Sequence, residues 1–321
     1  MADIIKTWFD AFVDPAGGFH ERLDSSLKPI DMPKRLVTQC RQLYVYASAG
    51  YDVNAQFDYL YKNYRIEKTG GSRFSLVDDN YDLYGLSFIL LACAAMKKTS
   101  YARETIHFIN DHFRVSGRPG FANALDMNLG VINTPLAQNP HMHLLEGSLA
   151  MAEITSDELY QHTANEIVAL FFEQFFDGVL HETVGGEVIE TGHQSEWIWL
   201  LKRYRDVSGS DDPRITNAMV QLYDWVREHA WDKTHGGIFH SQKPDGTVTD
   251  SRKRIWPLCE TIRAARLMGD EAMAAKCGGL LKSHYLRPNG FWNEILNADL
   301  SPATDYVPGT TPYHLFPIIS R

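Results

Sequence analysis

The sequence predicts an all-α fold, an (α/α)6 barrel in which a toroid of six helical hairpins closes on itself. Three observations lead there: a glycine-aromatic turn recurs at regular intervals, segments of helical period fill each interval, and neither end carries the distinct polar cap that an open solenoid needs.

The turns read GGFHE (Gly17 to Glu21), GGSRF (Gly70 to Phe74), RPGFA (Arg118 to Ala122), DGVLHE (Asp177 to Glu182), GGIFH (Gly236 to His240) and NGFWNE (Asn289 to Glu294). With Gly18, Gly71, Gly120, Gly178, Gly237 and Gly290 as markers, the gaps are 53, 49, 58, 59 and 53 residues. So narrow a spread argues against an irregular bundle in which such turns recur by chance. Between markers, YDLYGLSFILLACAAM, PHMHLLEGSLAMAEI, HTANEIVALFFEQFF, HQSEWIWLLKRYRDV, RITNAMVQLYDWVREHA and PLCETIRAARLM place apolar residues three and four apart, as one helix face requires. Each interval holds about two such segments, separated by turn-forming stretches such as SGSDDP. No Pro/Ser-rich linker or charge block divides the chain, so residues 1–321 read as one barrel domain.

Composition narrows the partners. A formal net charge of -9 would repel nucleic acid and anionic membrane surfaces. No apolar run approaches the roughly 20 residues that span a bilayer. The opening MADIIKTWFDAFVDPAGG is amphipathic and acidic, unlike a signal peptide. Cys40, Cys93, Cys259 and Cys277 lie far apart among apolar neighbours without CxxC spacing, which reads as reduced, buried thiols in a cytoplasmic protein. Aromatics on the outer ring would serve either the core or a homodimer interface.

Three helix starts carry histidines. Asn139-Pro140-His141-Met142-His143 offers an Asn cap followed by proline, and Thr311-Pro312-Tyr313-His314 a Thr cap followed by proline. Thr191-Gly192-His193-Gln194 matches a capping box. A histidine near a helix N-terminus feels the positive end of the dipole, which predicts a neutral ring able to accept a proton near pH 7. Phase supports convergence: His143, His193 and His314 lie 23, 15 and 24 residues after their glycine markers. The same phase elsewhere selects Arg41, Tyr84, and Arg254 with Trp256, so these side chains are expected at one end of a central cavity. Glu146 and Glu196 each follow a histidine by three residues, where a carboxylate would hold the imidazole tautomer, bind a hydroxyl, or merely form a buried ion pair.

Polar forks beside aromatic platforms suit a sugar, whose edges carry hydroxyls and whose faces present C–H groups. Trp197, Trp256, Trp292 and Tyr313 are the platform candidates, with Trp292 equally able to fill a gap between helices. A metal is not expected: there is no HExxH, and His141 and His143 fall on different helix faces. No phosphate-cradling GxxxxGK[ST] occurs, and no cofactor is implied. Arg252-Lys253-Arg254 reads first as a solvated surface run, and otherwise as a holder for an anionic substituent on a sugar.

NPHMHLLEGSLAM, ETGHQSEWIWLLKRY, KRIWPLCETIRAARL, TTPYHL, GGFHERLD and CRQLYVYA together resemble the N-acylglucosamine 2-epimerase superfamily, which also includes cellobiose 2-epimerase, D-mannose isomerase and sulfoquinovose isomerase. The resemblance runs in order from about residue 5 to 316. It implies an (α/α)6 barrel and proton transfer at C2 through an enediol-type intermediate, with His193 and His314 as general acid and base. It further implies that Arg41 stabilises the enediolate and that Asn139, His143, Glu196 and Tyr84 surround the sugar. Thr183 stands ten residues before His193, where the sulfoquinovose and mannose isomerase motif has an arginine. The chain is also short for the superfamily, which favours a monosaccharide over a disaccharide.

The expected activity is therefore metal-independent aldose-ketose isomerisation, D-mannose to D-fructose being the leading pair, with 2-epimerisation the alternative because the same groups can return the proton to either face of C2. A glycoside hydrolase would need two carboxylates across a scissile bond, and a non-catalytic sugar-binding barrel would leave the two histidines without a purpose.

Overall fold

Among the described residues, 2–320 of the computed structural model, twelve α-helices alternate between an outer and an inner ring. In chain order they are α1 (Ala2–Phe12), α2 (Leu36–Ser48), α3 (Asn54–Tyr64), α4 (Leu83–Met96), α5 (Thr99–His112), α6 (Gln138–Ala152), α7 (Glu158–Leu170), α8 (Thr191–Ser208), α9 (Pro213–Trp225), α10 (Ile255–Leu267), α11 (Glu271–Leu280) and α12 (Pro312–Ile319). Odd numbers are outer and even numbers inner. Each inner helix packs on the next, and α12 returns against α2 to close the ring.

Sequence decides which ring a helix joins. In α5 the buried residues Tyr101, Ala102, Thr105, Ile106, Phe108 and Ile109 form one stripe, as expected of a helix with one wet face. In α4, LYGLSFILLACAAM is buried on nearly every side because neighbours flank it within the ring and an outer helix covers it behind. Asp82 caps the start of α4 by accepting from the Gly85 N–H, and Lys97 in the left-handed conformation ends it.

All six glycine-aromatic turns join an outer helix to the following inner one, so the inner helices begin at the same end of the barrel. In three repeats a side chain in the first turn of the inner helix grips the backbone just after the glycine. Gln39 accepts from the Phe19 N–H at 2.8 Å and donates to its carbonyl at 2.9 Å. Gln194 does the same to Leu180 at 3.0 and 2.7 Å. His141 Nε2 accepts from the Phe121 N–H at 3.0 Å while Nδ1–H donates to the Ala137 carbonyl, which makes this histidine a structural one. A Cβ at Gly18 would lie 2.5 Å from Gln39 Oε1, and both Gly18 (φ +67°) and Gly120 (φ +73°) take a backbone shape that only glycine adopts without strain.

Closure joins the two ends of the chain. Trp8 of α1 donates to the Gly290 carbonyl at 2.8 Å and packs edge-on against Trp292, while Arg22–Asp24 pairs antiparallel with Tyr306–Pro308. Trp292 is thus the gap-filler rather than a platform, and Trp197, fully buried against Phe171 and donating to Gln138, belongs to the core as well. Further short strand pairs, not foreseen from the sequence, tie neighbouring repeats: Tyr81–Asp82 with Ala124–Leu125, Ile189–Glu190 with Ser241–Gln242, and Lys253–Arg254 with Ile295–Leu296.

The expected caps differ from those observed. Ala137 precedes α6, leaving Asn139 inside the first turn, and no capping box forms at α8, where Thr191 donates to Gln242 and Gln194 serves the clamp. Thr311 does cap α12 by position with Pro312 first in the helix, but its hydroxyl donates to Glu294. The basic run is not simply solvated: Lys253 is wholly buried against Asp232 at 3.0 Å, while Arg252 pairs outside with Asp250. All four cysteines are buried free thiols. Among the described residues no helix is long and apolar enough to cross a membrane.

The closest approach within the inner ring depends on a missing side chain. A Cβ at Gly147 of α6 would stand 2.6 Å from the Ser87 carbonyl oxygen of α4 and 2.9 Å from Leu90 Cβ. Gly147→Ala is expected to force the two helices apart and destabilise the fold by about 1–3 kcal/mol, read as a lower urea midpoint with an unchanged m-value.

Candidate active site

The inner-helix starts surround a cavity of about 150 Å3 lined by Arg41, Tyr84, Asn139, His143, Glu190, His193, Glu196, Arg254, Trp256, Glu294, Thr310, Thr311 and His314. All nine site residues expected from repeat phase and from the resemblance are brought together there. Of the platform candidates Trp256 alone lines it; Tyr313 lies just behind, donating to Glu146.

Each of the three histidines is held through Nδ1 by a glutamate, buried at Glu146 and Glu260 and half-buried at Glu182. His143 donates to Glu146 at 3.1 Å, His314 to Glu260 at 2.8 Å, and His193 to Glu182 at 2.9 Å. Such a bond fixes the ring and leaves Nε2 for the cavity. The spacing-based partner was right for His143. For His193 it was not: Glu182, eleven residues earlier in the DGVLHE turn, takes the role expected of Glu196. Glu260, absent from the sequence reading, sits on α10 and reaches across to α12.

The surroundings set the histidines apart. Burial lowers His314 to about 4, with Arg41 and His143 adding to that, and Glu260 only partly opposes it. His143 falls to about 4 for the same reason. At His193 burial also opposes charge, but the Glu182 carboxylate, by charge and by hydrogen bond, with Glu190 and Glu196, overcomes it and raises the imidazole to about 9. The helix-dipole expectation of a neutral ring therefore fails at His193, because a carboxylate in contact outweighs a partial charge at a helix end. At neutral pH His193 is a proton donor and His314 an acceptor. Glu260 differs from Glu182 in being paired with a second cation, Arg263, whose charge, with the bonds and charge of His314 and the Trp199 N–H, holds it down to about 2 despite burial.

Trp256 lies between the two, its ring centroid 4.9 Å from His193 and 5.5 Å from His314. Gly192 makes room for it, since a Cβ there would overlap the indole. Arg41 is buried with no carboxylate partner among the described residues: its guanidinium donates to Tyr84 at 2.6 Å and lies over the rings of Phe88 and Tyr313 at 4.4 and 4.6 Å. Its positive charge is thus available to a ligand. Burial and the neighbouring Glu260 charge raise Glu196 well above the carboxylate range despite His193, which favours its protonated form. Asn139 Oδ1, Glu196 Oε1, and the Nε atoms of Arg41 and Arg254 are buried without a hydrogen-bond partner, as polar atoms meant for a ligand would be.

Two groups have ligating atoms close enough together to hold a cation: Glu182, Glu190 and His193, and Glu196, Glu260 and His314. In both, Nδ1 of the histidine and its carboxylate already serve each other, and Glu260 is further neutralised by Arg263. These donor sets suit protons better than a metal.

Glu182, Glu190, Glu260, Glu294, Thr310 and Thr311 were missed. A signal existed for two of them: three of the glycine turns end in glutamate, and Glu21, Glu182 and Glu294 each accept from the start of the next inner helix, at Arg35 N, Glu190 N and Thr311 Oγ1.

Comparison with known proteins agrees with this geometry. The chain matches the family described as N-acylglucosamine 2-epimerase (GlcNAc 2-epimerase) over residues 17–317. It is 27% identical to a protein of Rhizobium meliloti (strain 1021) named mannose-6-phosphate isomerase, over 95% of this chain and 89% of that one. Among solved structures, a D-mannose isomerase superposes with a TM-score of 0.87 at 20% identity, covering 98% of this chain and 94% of the other. A cellobiose 2-epimerase from Bacillus thermoamylovorans B4167 gives 0.86 at 17% identity, covering 98% and 97%.

The contrast between the histidines is measurable directly. Titration followed by imidazole NMR is expected to place His193 near 9 and His314 near 4, and Glu182→Gln should bring His193 down to the ordinary value of roughly 6.5 or below, since Glu190 and Glu196 alone then oppose burial.

Proposed function

On the premise that the chain belongs to the N-acylglucosamine 2-epimerase family, we propose that it is an aldose-ketose isomerase for a hexose of the mannose/fructose type. The observation that carries this reading is the opposite protonation of His193 and His314 on either side of Trp256, each locked by its own glutamate. Two groups whose surroundings push their proton affinities apart are what a single site needs to act as acid and base at one pH.

His193, protonated, donates Nε2–H to the ring oxygen as the C1–O5 bond breaks, and takes back the proton of the O1 hydroxyl as the C1 carbonyl forms, so it ends charged as it began. His314, neutral, removes the C2 proton; the C–H electron pair forms the C1–C2 double bond, and the carbonyl π electrons move to O1. Arg41, a cation without a carboxylate partner, stabilises that oxyanion, which differs in charge from the ground state and so profits from a preorganised donor. As His314 returns its proton to C1, the C1–C2 π electrons take it up, the O2–H bond electrons form the C2 carbonyl, and the O2 proton passes to the O1 oxyanion, giving the neutral ketose and the starting neutral His314. Glu196 as a neutral acid and Asn139 hold hydroxyls, and the Trp256 face packs on sugar C–H groups. A cavity of about 150 Å3 is small beside the roughly 300–1,000 Å3 of drug-sized sites, which supports a monosaccharide.

Return of the proton to the opposite face of C2 would give the epimer, and the experiment separates the two. In D2O, mannose and fructose are expected to interconvert with deuterium entering at C1 or C2, insensitive to EDTA, and His314→Ala should slow this by roughly 10^2-fold or more. Mannose and glucose interconverting without fructose would replace isomerisation by epimerisation, and no exchange with any sugar would defeat both. Activity requires His193 charged and His314 neutral, so the rate should hold between about pH 4 and 9 and fall on both sides. In Glu182→Gln the alkaline limb is expected to move to lower pH.

A further inference from the structure

Beside the cavity lies a second chamber of about 240 Å3, and the two share Arg41, Tyr84, Arg254, Glu294 and Thr310 in their walls. His193, His314, Trp256 and Glu196 face only the inner one. The outer chamber adds Arg22 and Arg35 to Arg41 and Arg254, so four guanidinium groups meet there with Glu294 as the single lining carboxylate.

The arginines are not equally compensated. Arg35 is neutralised by Glu21, which takes its Nε at 2.7 Å. Arg254 has only a distant partner, Glu294 at 3.6 Å. Arg22 and Arg41 have no ion-pair partner among the described residues; Arg22 lies 3.9 Å over the Tyr306 ring. The Nε atoms of Arg22, Arg41 and Arg254 are all buried and without acceptors. Removing N–H groups of a cation from water without acceptors is costly. The hydroxyls of a neutral sugar do not call for such a concentration of positive charge, whereas the oxygens of a tetrahedral oxyanion match guanidinium forks.

We propose that the outer chamber is an oxyanion subsite that binds a phosphoryl-type group on the end of the sugar remote from C1 and C2, so that the substrate is a terminally charged hexose. This rests on the isomerase or epimerase reading only for what happens at the other end of the molecule. Arg22, reached through the strand that closes the ring, is the specificity-determining residue, assisted by Arg254. No residue at the position of Thr183 is needed for it.

Binding can be tested apart from turnover with glucitol 6-phosphate, which has no carbonyl to react, against glucitol, by calorimetry on the full-length protein. The phosphate is expected to improve affinity at least tenfold, and Arg22→Gln to remove most of that gain while Arg22→Lys keeps part; a preserved far-UV spectrum and melting point show the variants folded. In the deuterium assay, the ratio of kcat/KM for mannose 6-phosphate to that for mannose should exceed ten and fall by about tenfold in Arg22→Gln, and glucitol 6-sulfate, with one charge fewer, should bind between glucitol and the phosphate. Equal affinity of glucitol and glucitol 6-phosphate, or an advantage that Arg22→Gln leaves untouched, overturns the subsite even if mannose is isomerised. Arg22-dependent phosphate binding with no exchange on any sugar would uphold the subsite and defeat the reading of the activity.

Discussion

The arrangement rests on a grip, made in three of the six repeats, between an inner helix and the turn that leads into it. Gln39, His141 and Gln194 hold the backbone of Phe19, Phe121 and Leu180, and glycine precedes Phe19 and Phe121 because a Cβ at Gly18 or Gly120 would strike the gripping side chain. The grip fixes helix rotation as well as position. Arg41 and His143 follow their clamps by two residues and His193 precedes its clamp by one, so a structural contact on one side of the helix sets where the chemical group points on another. This explains how residues from five of the six inner helices, α2, α6, α8, α10 and α12, converge with Tyr84 of α4 on a space no larger than a sugar ring.

Convergence brings charge into a dry interior, and the structure answers that cost in different ways at different places. His193 and Glu182 stabilise each other's charged forms; Glu260 is held ionised first by Arg263, while burial keeps His314 low beside it; and burial next to Glu260 pushes Glu196 up, toward its protonated form. A buried pair is a poor source of stability, but the different solutions around two similar histidines are what give them opposite proton-transfer roles. Arg41 is the exception, a cation enclosed by aromatic faces whose compensation is left to the ligand.

Much of this could be read in the sequence, and the reasons for the remainder are physical. Regular glycine spacing made the barrel legible, since a closed ring repeats its connection as well as its helices, and phase within the repeat found seven of the lining residues, the family resemblance adding Asn139 and Glu196. Local rules did less well. The TGHQ segment has a capping-box pattern, yet Gln194 is used on the turn instead, and the dipole argument for a neutral His193 could not see Glu182 across a loop. Glu260 lies 54 residues from His314, a separation at which no spacing rule operates and only ring closure makes them neighbours. The run of Arg252, Lys253 and Arg254 shows the same limit: three adjacent basic residues are divided among solvent, core and cavity because a short strand turns alternate side chains to opposite faces.

Closure by contacts rather than by covalent linkage gives the molecule a history during synthesis. The outer wall behind the last turn is α1, made before the other eleven helices of the ring, while α12, with His314, is made after them. The strand at Arg22–Asp24 likewise waits for Tyr306–Pro308. Five hairpins can form in order of translation, each against its predecessor, but the indole of Trp8 has no Gly290 carbonyl to bind, and Arg41 no Tyr313 beneath it, until the sixth repeat has been made. A nascent chain therefore passes through a stage in which most of the ring exists and the reaction chamber does not, and the seam between first and last repeats is where a chaperone would find apolar surface to hold.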